Sequence, residues 1–200
     1  MKITDEYVFF YKDWLSNYQK TKFKFDINFD KLQNHDYLER TDITIYEFTS
    51  TEQGFMYYKA LYFDNQELAD EILNEPNPDK CRRMGRQVKR YDDTKWSKIR
   101  YEVFYRLNLA KYTQDLILQK KLLDSKFDNK KFVEASPIDR IWGVGYDENR
   151  AEYNEHNWGR NYLGKILTNI RNRIKQNKLD DMNWNIYTYS GKNEKETNNI

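Results

Sequence analysis

Residues 51–63 read TEQGFMYYKALYF, and they indicate a helix buried on all sides. From Gly54 onward its side chains are almost all apolar or aromatic around the full circumference, which is typical of a helix inside a core. Glu52 and Lys59 are seven positions apart, so they share one face, about 10 Å apart along the axis. Buried charges are costly unless they are paired or used. The two charges therefore predict two walls of a polar pocket.

Structural roles for both charges are alternatives to the pocket. Thr49-x-x-Glu52 matches a capping box, in which the glutamate bonds back to the amide of the capping residue. Lys59 could instead extend its ammonium group to water along its aliphatic stem. This segment alone leaves the pocket and the structural roles open.

The composition excludes several classes of protein. The 200 residues include 34 Lys+Arg and 32 Asp+Glu, a balance that excludes a strongly basic nucleic-acid coat or an acidic mimic. One Cys and two His exclude an internal disulfide and a His/Cys zinc site. No apolar run of about 18 residues and no signal peptide are found, so we expect a cytoplasmic protein that does not bind membranes. The many Lys, Asn, Ile and Tyr residues indicate an AT-rich genome such as that of a phage, in which case the cytoplasm would be the host's. The oligomeric state is not predicted.

The pattern of elements predicts an α+β fold: a compact, helix-rich single domain with short strands over residues 1–178, then a polar tail over 179–200. Aromatic residues (17 Tyr, 11 Phe and 5 Trp) supply most of its core. The predicted strands are 8–11, 22–25, 44–48 and 132–135, with a strand or tight loop at 141–145. The predicted helices run from about 51 to 74, 78 to 91, 93 to 110, 114 to 123 and 161 to 175, and 146–157 is a polar loop. Neither GxGxxG nor GxxxxGK[ST] occurs, which excludes the Rossmann and P-loop folds.

Several ordered blocks of residues together carry a family resemblance. They are Leu15-Ser16-Asn17-Tyr18, TExxFxYxKAxxF over 51–63, KxxxMGR over 80–86, Trp96 with Arg100, VEASPxDxxWGxG over 133–145, and WGRNxLGKxLxxxR over 158–171. In this order they resemble the NADAR family, the YbiA-like group named for a predicted link to NAD and ADP-ribose. The match runs from about residue 8 to residue 175. The stretches 27–47 and 146–157 look longer than usual, and we expect both to shape the substrate site.

The resemblance implies a YbiA-like fold and an N-glycosidase activity that needs no metal and no cofactor. One associated substrate type is ADP-ribose attached to guanine in DNA or nucleotides, which the enzyme removes. The other is the ribosylamino-pyrimidine phosphates of early riboflavin synthesis. A non-catalytic module that binds ADP-ribose or an NAD derivative is a further alternative.

Cleavage of a C1′–N bond builds positive charge on the ribose, and a nearby carboxylate stabilises that charge or activates a water. Glu52 is the first candidate for this carboxylate and Asp139 the second, and the sequence does not say which is acid or base. Lys59 is a candidate to form a Schiff base with a ring-opened C1′, or else to contact a phosphate. Asn161 is a further catalytic candidate, or only a helix cap.

The candidate substrate-binding residues are aromatic, basic or backbone-shaping. Trp96 and Trp142 are expected to stack on a base or line the ribose pocket, with core packing as the alternative. Arg86 is expected to bind phosphate, and the start of the helix near 161 offers amides to an anion. Arg82, Arg83, Lys89 and Arg90 form a basic cluster that is either a solvated face or a contact for a diphosphate or nucleic-acid backbone. The remaining candidates are Ser16, Asn17, Gly85, Gly143, Gly159 and Arg160.

Overall fold

The computed structural model describes residues 1–25 and 45–177, so the predicted tail at 179–200 and most of the polar stretch 27–47 lie outside the described residues. The strands are β1 (Lys2–Ile3), β2 (Tyr7–Phe10), β3 (Phe23–Phe25), β4 (Tyr46–Phe48) and β5 (Lys131–Glu134). The α-helices are α1 (Thr51–Tyr62), α2 (Gln66–Leu73), α3 (Pro78–Gly85), α4 (Asp93–Gln114), α5 (Leu116–Leu122), α6 (Glu148–Ala151) and α7 (Tyr162–Lys175). Within these ranges, no helix has the length and apolar character needed to cross a membrane.

The main sheet has β2 at its centre, antiparallel to β1 and parallel to β5. All four side chains of β2 are buried, because a central strand is covered on both faces. Val8 and Phe10 enter the large core, and Tyr7 and Phe9 enter a smaller cluster on the other face. Phe10 is paired with Glu134, so both parallel strands end at the same edge of the sheet. β3 and β4 form a separate two-stranded antiparallel sheet.

Helix α1 lies at the centre of the helical layer, packed against α2, α3 and α4. Every residue of α1 is buried or half-buried, which confirms the prediction from its sequence. Its cap begins one residue later than the capping-box pattern suggested: Ser50 accepts the amide of Gln53, and Gln53 accepts the amide of Thr49. Glu52 is therefore not used in the cap.

Three of the predicted elements differ from the structure. The helix predicted from 51 to 74 is divided, because Asp64 adopts a left-handed backbone (φ 57°) and Asn65 donates back to the carbonyl of Phe63. The helix predicted to reach 91 ends at Gly85. The segment 146–157 contains α6 and a 3₁₀-helix rather than an open loop. Residues 141–145 form the tight loop that was one of the two predicted alternatives.

Candidate active site

A cavity of about 280 Å³ opens at the sheet edge where β2 and β5 end. Its walls come from the segment after β2, the first two turns of α1, the middle of α3 and α4, and the loop after β5. The side chains that give it chemical character include Lys12, Asn17, Glu52, Arg82, Glu134, Asp139 and Trp142. Three of these are carboxylates and one is a guanidinium group, in a cavity whose other walls include aromatic rings.

Glu52 stands in the first turn of α1 and is only 4% exposed. Its amide donates to the carbonyl of Asn17 at 3.1 Å, and the side-chain amide of Asn17 donates to Glu52 Oε2. Burial raises the pKa of Glu52 to about 7, against the opposing effects of Arg82 and of the Asn17 hydrogen bond. Both protonation states of Glu52 are therefore accessible near neutral pH.

Glu134 is the functional candidate that the sequence analysis missed. It is the last residue of β5, is 9% exposed and faces the same cavity. Its Oε2 has no hydrogen-bond partner within residues 1–25 and 45–177. Burial, followed by the negative charges of Asp139 and Glu52, raises its pKa to about 8. A glutamate at the buried end of an apolar strand, inside the block at 133–145, was the available signal.

Asp139 lies in the loop after β5 and lines the cavity. Its Oδ1 accepts the amides of Ile141 and Trp142, both at 2.8 Å. The negative charge of Asp139 acts on both buried glutamates by raising their pKa values. Asp139 therefore fixes the turn that carries Trp142 and also sets the electrostatics of the cavity.

The two candidate tryptophans have different environments. Trp142 is half-buried and lines the cavity, with its ring 5.2 Å from Phe55 and 4.3 Å from Phe104 between centroids. Trp96 is 3% exposed, packs 5.3 Å from Phe55 and does not line the cavity. Trp96 is therefore a core residue, as the packing alternative proposed, because it lies on the face of α4 that packs into the helical layer.

Lys59 does not face the cavity with Glu52. Its Nζ donates to the carbonyl of Gly85 at 2.8 Å and lies 4.2 Å from the centroid of the Tyr91 ring. Burial lowers its pKa, opposed by the charges of Asp93 and Glu52. Gly85 supplies a carbonyl to this lysine and is also not a cavity residue.

The basic helix α3 brings a different arginine to the cavity from the one predicted. Arg82 lines it and donates to the hydroxyl of Tyr18 at 3.2 Å. Arg86 is exposed at the end of α3 and lies outside the cavity lining. Ser16 lines the cavity, and its hydroxyl accepts the amide of Tyr18 at 3.2 Å.

The loop after β5 is held by a series of backbone hydrogen bonds, here called the backbone ladder. Five amides at the start of α7 and just before it donate to five carbonyls of the loop: Gly159 to Val144, Arg160 to Arg140, Asn161 to Gly143, Tyr162 to Ile141 and Leu163 to Trp142. These amides are already bonded, so they do not form the anion site expected there. The side chain of Arg160 is exposed and contacts the hydroxyl of Tyr162.

Asn161 and the glycines of this region support the backbone rather than line the cavity. Asn161 has a left-handed backbone (φ 50°), accepts the amide of Glu134 and donates to the carbonyl of Phe132, each at 3.0 Å. Its side chain makes no helix-cap hydrogen bond. A Cβ at Gly159 would lie 2.4 Å from the carbonyl oxygen of Arg140, and at Gly143 2.7 Å from that of Glu134. Both glycines are therefore needed for close backbone contact.

The segment 146–157 packs away from the cavity, contrary to the expectation that it shapes the substrate site. It contacts the N-terminal strands, where Tyr7 donates to Glu155 and Lys2 donates to Glu152. None of its residues lines the cavity. In the part of the chain that the structure describes, no group of three or more His, Cys, Asp or Glu side chains is arranged to hold a metal ion.

Comparisons with known proteins agree with this architecture. The family model described as "NADAR domain" matches residues 9–175. The NMR structure of the E. coli protein YbiA superposes with a TM-score of 0.64 at 23% identity, covering 90% of each chain. This likeness confirms the YbiA-like α+β fold.

Two curated relatives are similar over much of the chain. "N-glycosidase R617" of Acanthamoeba polyphaga mimivirus is 34% identical over 178 residues, which are 86% of this chain and 99% of that protein. "Protein irg-1" of Caenorhabditis elegans is 38% identical over 133 residues, or 64% of this chain and 61% of that protein. "Riboflavin biosynthesis protein VVA0006" of Vibrio vulnificus is 28% identical over 120 residues, which are 60% of this chain and only 30% of that longer protein.

Proposed function

The chain belongs to the NADAR family, and on this premise we propose that it is an N-glycosidase that removes ADP-ribose from ADP-ribosylated guanine in DNA or nucleotides. The observation that carries the proposal is the buried carboxylate of Glu52, held by Asn17 in a cavity that also contains Arg82 and Trp142. The similarity to a viral relative named N-glycosidase along almost its whole length supports the bond type.

The cavity suits the departure of a base from ribose. As the C1′–N bond breaks, its electron pair goes to the nitrogen of the base and the ribose becomes positively charged. In a cavity that buries Glu52, a carboxylate fixed in this way stabilises that charge more strongly than it would in water. A water molecule then supplies the hydroxyl group that bonds to C1′. In the overall reaction, the other proton of that water is the one that the leaving base gains.

The size and rim of the cavity indicate how a larger substrate fits. Its volume of about 280 Å³ lies near the lower end of ligand pockets, which are roughly 300–1,000 Å³. We propose that it holds the reacting ribose and that the remainder of the substrate extends over the mouth. Trp142 offers an aromatic surface there, Ile138 is 80% exposed on the rim, and Arg82 offers a guanidinium group to a phosphate.

The same bond chemistry on ribosylamino-pyrimidine phosphates is the second candidate. It is favoured by two relatives named as riboflavin biosynthesis proteins, from Vibrio vulnificus and Zea mays, at 28% and 29% identity. A small ribosyl phosphate would need only the cavity and Arg82, and it would not need the exposed rim.

A Schiff base between Lys59 and a ring-opened C1′ is an alternative chemical route. In this arrangement it requires Nζ to leave the carbonyl of Gly85 and turn toward the cavity. Borohydride reduction during turnover tests it, since trapping would attach the sugar to Lys59, and Lys59→Met is the control that abolishes trapping.

The decisive test is hydrolysis of a guanine-ADP-ribosylated DNA oligonucleotide, with products identified by mass spectrometry. We expect the wild type to release unmodified oligonucleotide and free ADP-ribose, and Glu52→Gln to release no detectable amount of either in the same reaction time. Glu47→Gln is the matched control, because Glu47 is exposed on β4 and pairs with Lys22 at the surface. A full rate in Glu52→Gln would contradict the assigned role.

The same assay separates the alternatives. Turnover only of ribosylamino-pyrimidine phosphates would favour the second candidate. Calorimetric binding of ADP-ribose without turnover of any substrate would favour a binding module and contradict the enzymatic proposal.

A further inference from the structure

We infer that Glu134 is the general acid of this reaction, delivering a proton to the leaving base from a carboxyl group that is protonated before the bond breaks. The inference rests on the proposed N-glycosidase function and assigns a catalytic role to a residue outside the candidates predicted from the sequence.

Glu134 is placed where its carboxyl group can contact a ligand in the cavity. Its side chain faces the cavity, is buried, and leaves Oε2 without a hydrogen-bond partner in the described part of the chain. A buried carboxylate without a donor is costly, whereas the protonated group has an O–H that it can give to a ligand. The available proton therefore points to a partner that arrives with the substrate.

The backbone around Glu134 is fixed on both sides, which suits a group that must meet one atom of a substrate. Its amide donates to Asn161 Oδ1 at 3.0 Å, and its carbonyl accepts the amide of Val144 at 3.0 Å. β5 holds it in register with Phe10 of the central strand. General acids need such positioning within hydrogen-bond reach of the acceptor.

The two buried glutamates differ in what surrounds them. Glu52 accepts a hydrogen bond from Asn17, and Arg82 is the strongest charge acting on it, so its ionised form is supported. Among the described residues none donates to Glu134 Oε2, and after burial the main influences on the pKa of Glu134 are the negative charges of Asp139 and Glu52. Two carboxyl groups whose surroundings separate their pKa values are suited to opposite roles. Glu52 is then the carboxylate and Glu134 the acid.

Cleavage of the bond is accompanied by two proton transfers. The C1′–N bond breaks, its electron pair moves to the base, and the Glu134 O–H gives its proton to a nitrogen of that base. The oxygen of a water bonds to C1′, and the proton of that water passes to Glu52. Proton exchange with solvent returns Glu134 to the acid and Glu52 to the carboxylate.

The test compares pH profiles of kcat/KM for two matched variants on the guanine-ADP-ribosylated oligonucleotide. The wild type should lose activity at low pH as Glu52 is protonated and at high pH as Glu134 ionises. Glu134→Gln keeps the size of the side chain but has no acidic proton. We expect it to lower kcat/KM by about 10²–10³-fold and to remove the decline at high pH. Glu52→Gln should remove the decline at low pH.

Glu134→Asp supplies a second variant that retains a carboxyl group. It should be slower than the wild type but keep the decline at high pH, which a purely structural role would not predict. Circular dichroism confirms that each variant is folded. A wild type whose kcat/KM does not decline at high pH, or a Glu134→Gln variant with wild-type rate, would overturn the inference while leaving the N-glycosidase proposal intact. A wild type inactive on every N-riboside would overturn both.

Discussion

The two walls of the cavity are built differently. The helix wall is formed by α1, α3 and α4, and it lines the cavity with side chains such as Glu52, Phe55 and Arg82. The loop wall, formed by residues 134–145, is held by backbone contacts with the start of α7, which supply the backbone ladder. Chemistry on the helix wall can change without moving the chain, whereas the loop wall depends on close main-chain packing.

The glycines show the same contrast. A Cβ at Gly54 in α1 would meet Leu107 Cδ2 at 2.8 Å, the end of a flexible side chain. A Cβ at Gly164 in α7 would meet the carbonyl oxygen of Phe132 at 2.2 Å, a backbone atom of the sheet. Changes in the loop wall should therefore reduce stability, and changes in the helix wall should mainly alter activity.

The largest expected effect belongs to the helix wall. Glu52→Gln should lower kcat/KM by about 10³-fold, or about 4 kcal/mol of transition-state stabilisation, because the cavity loses the carboxylate that we propose stabilises the ribose cation. The thermal midpoint should not fall, since the amide removes a buried titratable group. Steady-state kinetics and calorimetry check both expectations. If Glu52→Gln lost as much free energy of unfolding as it lost in transition-state stabilisation, the contrast between the two walls would be contradicted.

Asn161→Ala should have the largest effect on the loop wall. It leaves the buried amide of Glu134 and the buried carbonyl of Phe132 without their partner, at a cost of roughly 3 kcal/mol in free energy of unfolding. Urea unfolding measures it, and Asn149→Ala on the exposed helix α6 should change stability by less than about 0.5 kcal/mol. Equal stability of the two variants would contradict the role given to Asn161.

Gly164→Ala and Gly54→Ala form a direct test of the contrast, because both glycines lie inside helices. Gly164→Ala should lose roughly 2–3 kcal/mol, since the sheet backbone must move. Gly54→Ala should lose less than about 1 kcal/mol, since Leu107 can shift and alanine favours the helix. Urea unfolding measures the free energy of unfolding of both variants. A larger loss in Gly54→Ala than in Gly164→Ala would show that contact with the sheet backbone is not the more costly of the two.

The pH dependence of stability should show the cost of Glu134. Its folded pKa of about 8 lies above the ordinary value of 4.5, so between these values the folded state holds more protons than the unfolded state. Stability from this group is complete below about pH 4.5 and is lost as pH rises toward 8. Glu134→Gln should therefore be more stable than the wild type by roughly 2 kcal/mol at pH 6 and match its stability near pH 4. Thermal unfolding across this range checks the sign.

The smallest expected effect is on the rim. Ile138→Ser should raise KM for the oligonucleotide by about 2–5-fold and leave stability unchanged, because Ile138 is 80% exposed and loses only ligand contact. A small ribosyl phosphate should show no change in KM. An equal effect on both substrates would contradict the proposed extension of the larger substrate over the rim.

Much of this architecture could be predicted from local sequence. The buried helix α1 followed from its uninterrupted apolar circumference, and Glu52 reached the cavity because the cap is formed by Ser50 and Gln53 instead. Lys59 shares a helix face with Glu52, but two turns of axial distance place it beyond the end of the cavity.

What the sequence analysis missed depended on contacts between distant segments. Glu134 becomes a cavity residue only through the parallel pairing of β5 with β2, more than a hundred residues earlier. Arg82 rather than Arg86 faces the cavity because of the rotation of α3 about its own axis where it packs on α1. The sequence of basic residues along α3 does not determine that rotation. Asn161 looked like a helix cap because its bonds to β5 are absent from any local pattern.

The backbone ladder also matters for anyone who wants to modify the protein. The chain leaves the backbone ladder after Val144 and re-enters it at Gly159, whose amide donates to the carbonyl of Val144 at 2.9 Å. This hydrogen bond closes the segment between them, which packs on the N-terminal strands and does not line the cavity. It is accordingly the segment in which an inserted affinity tag or fluorophore should disturb the cavity least.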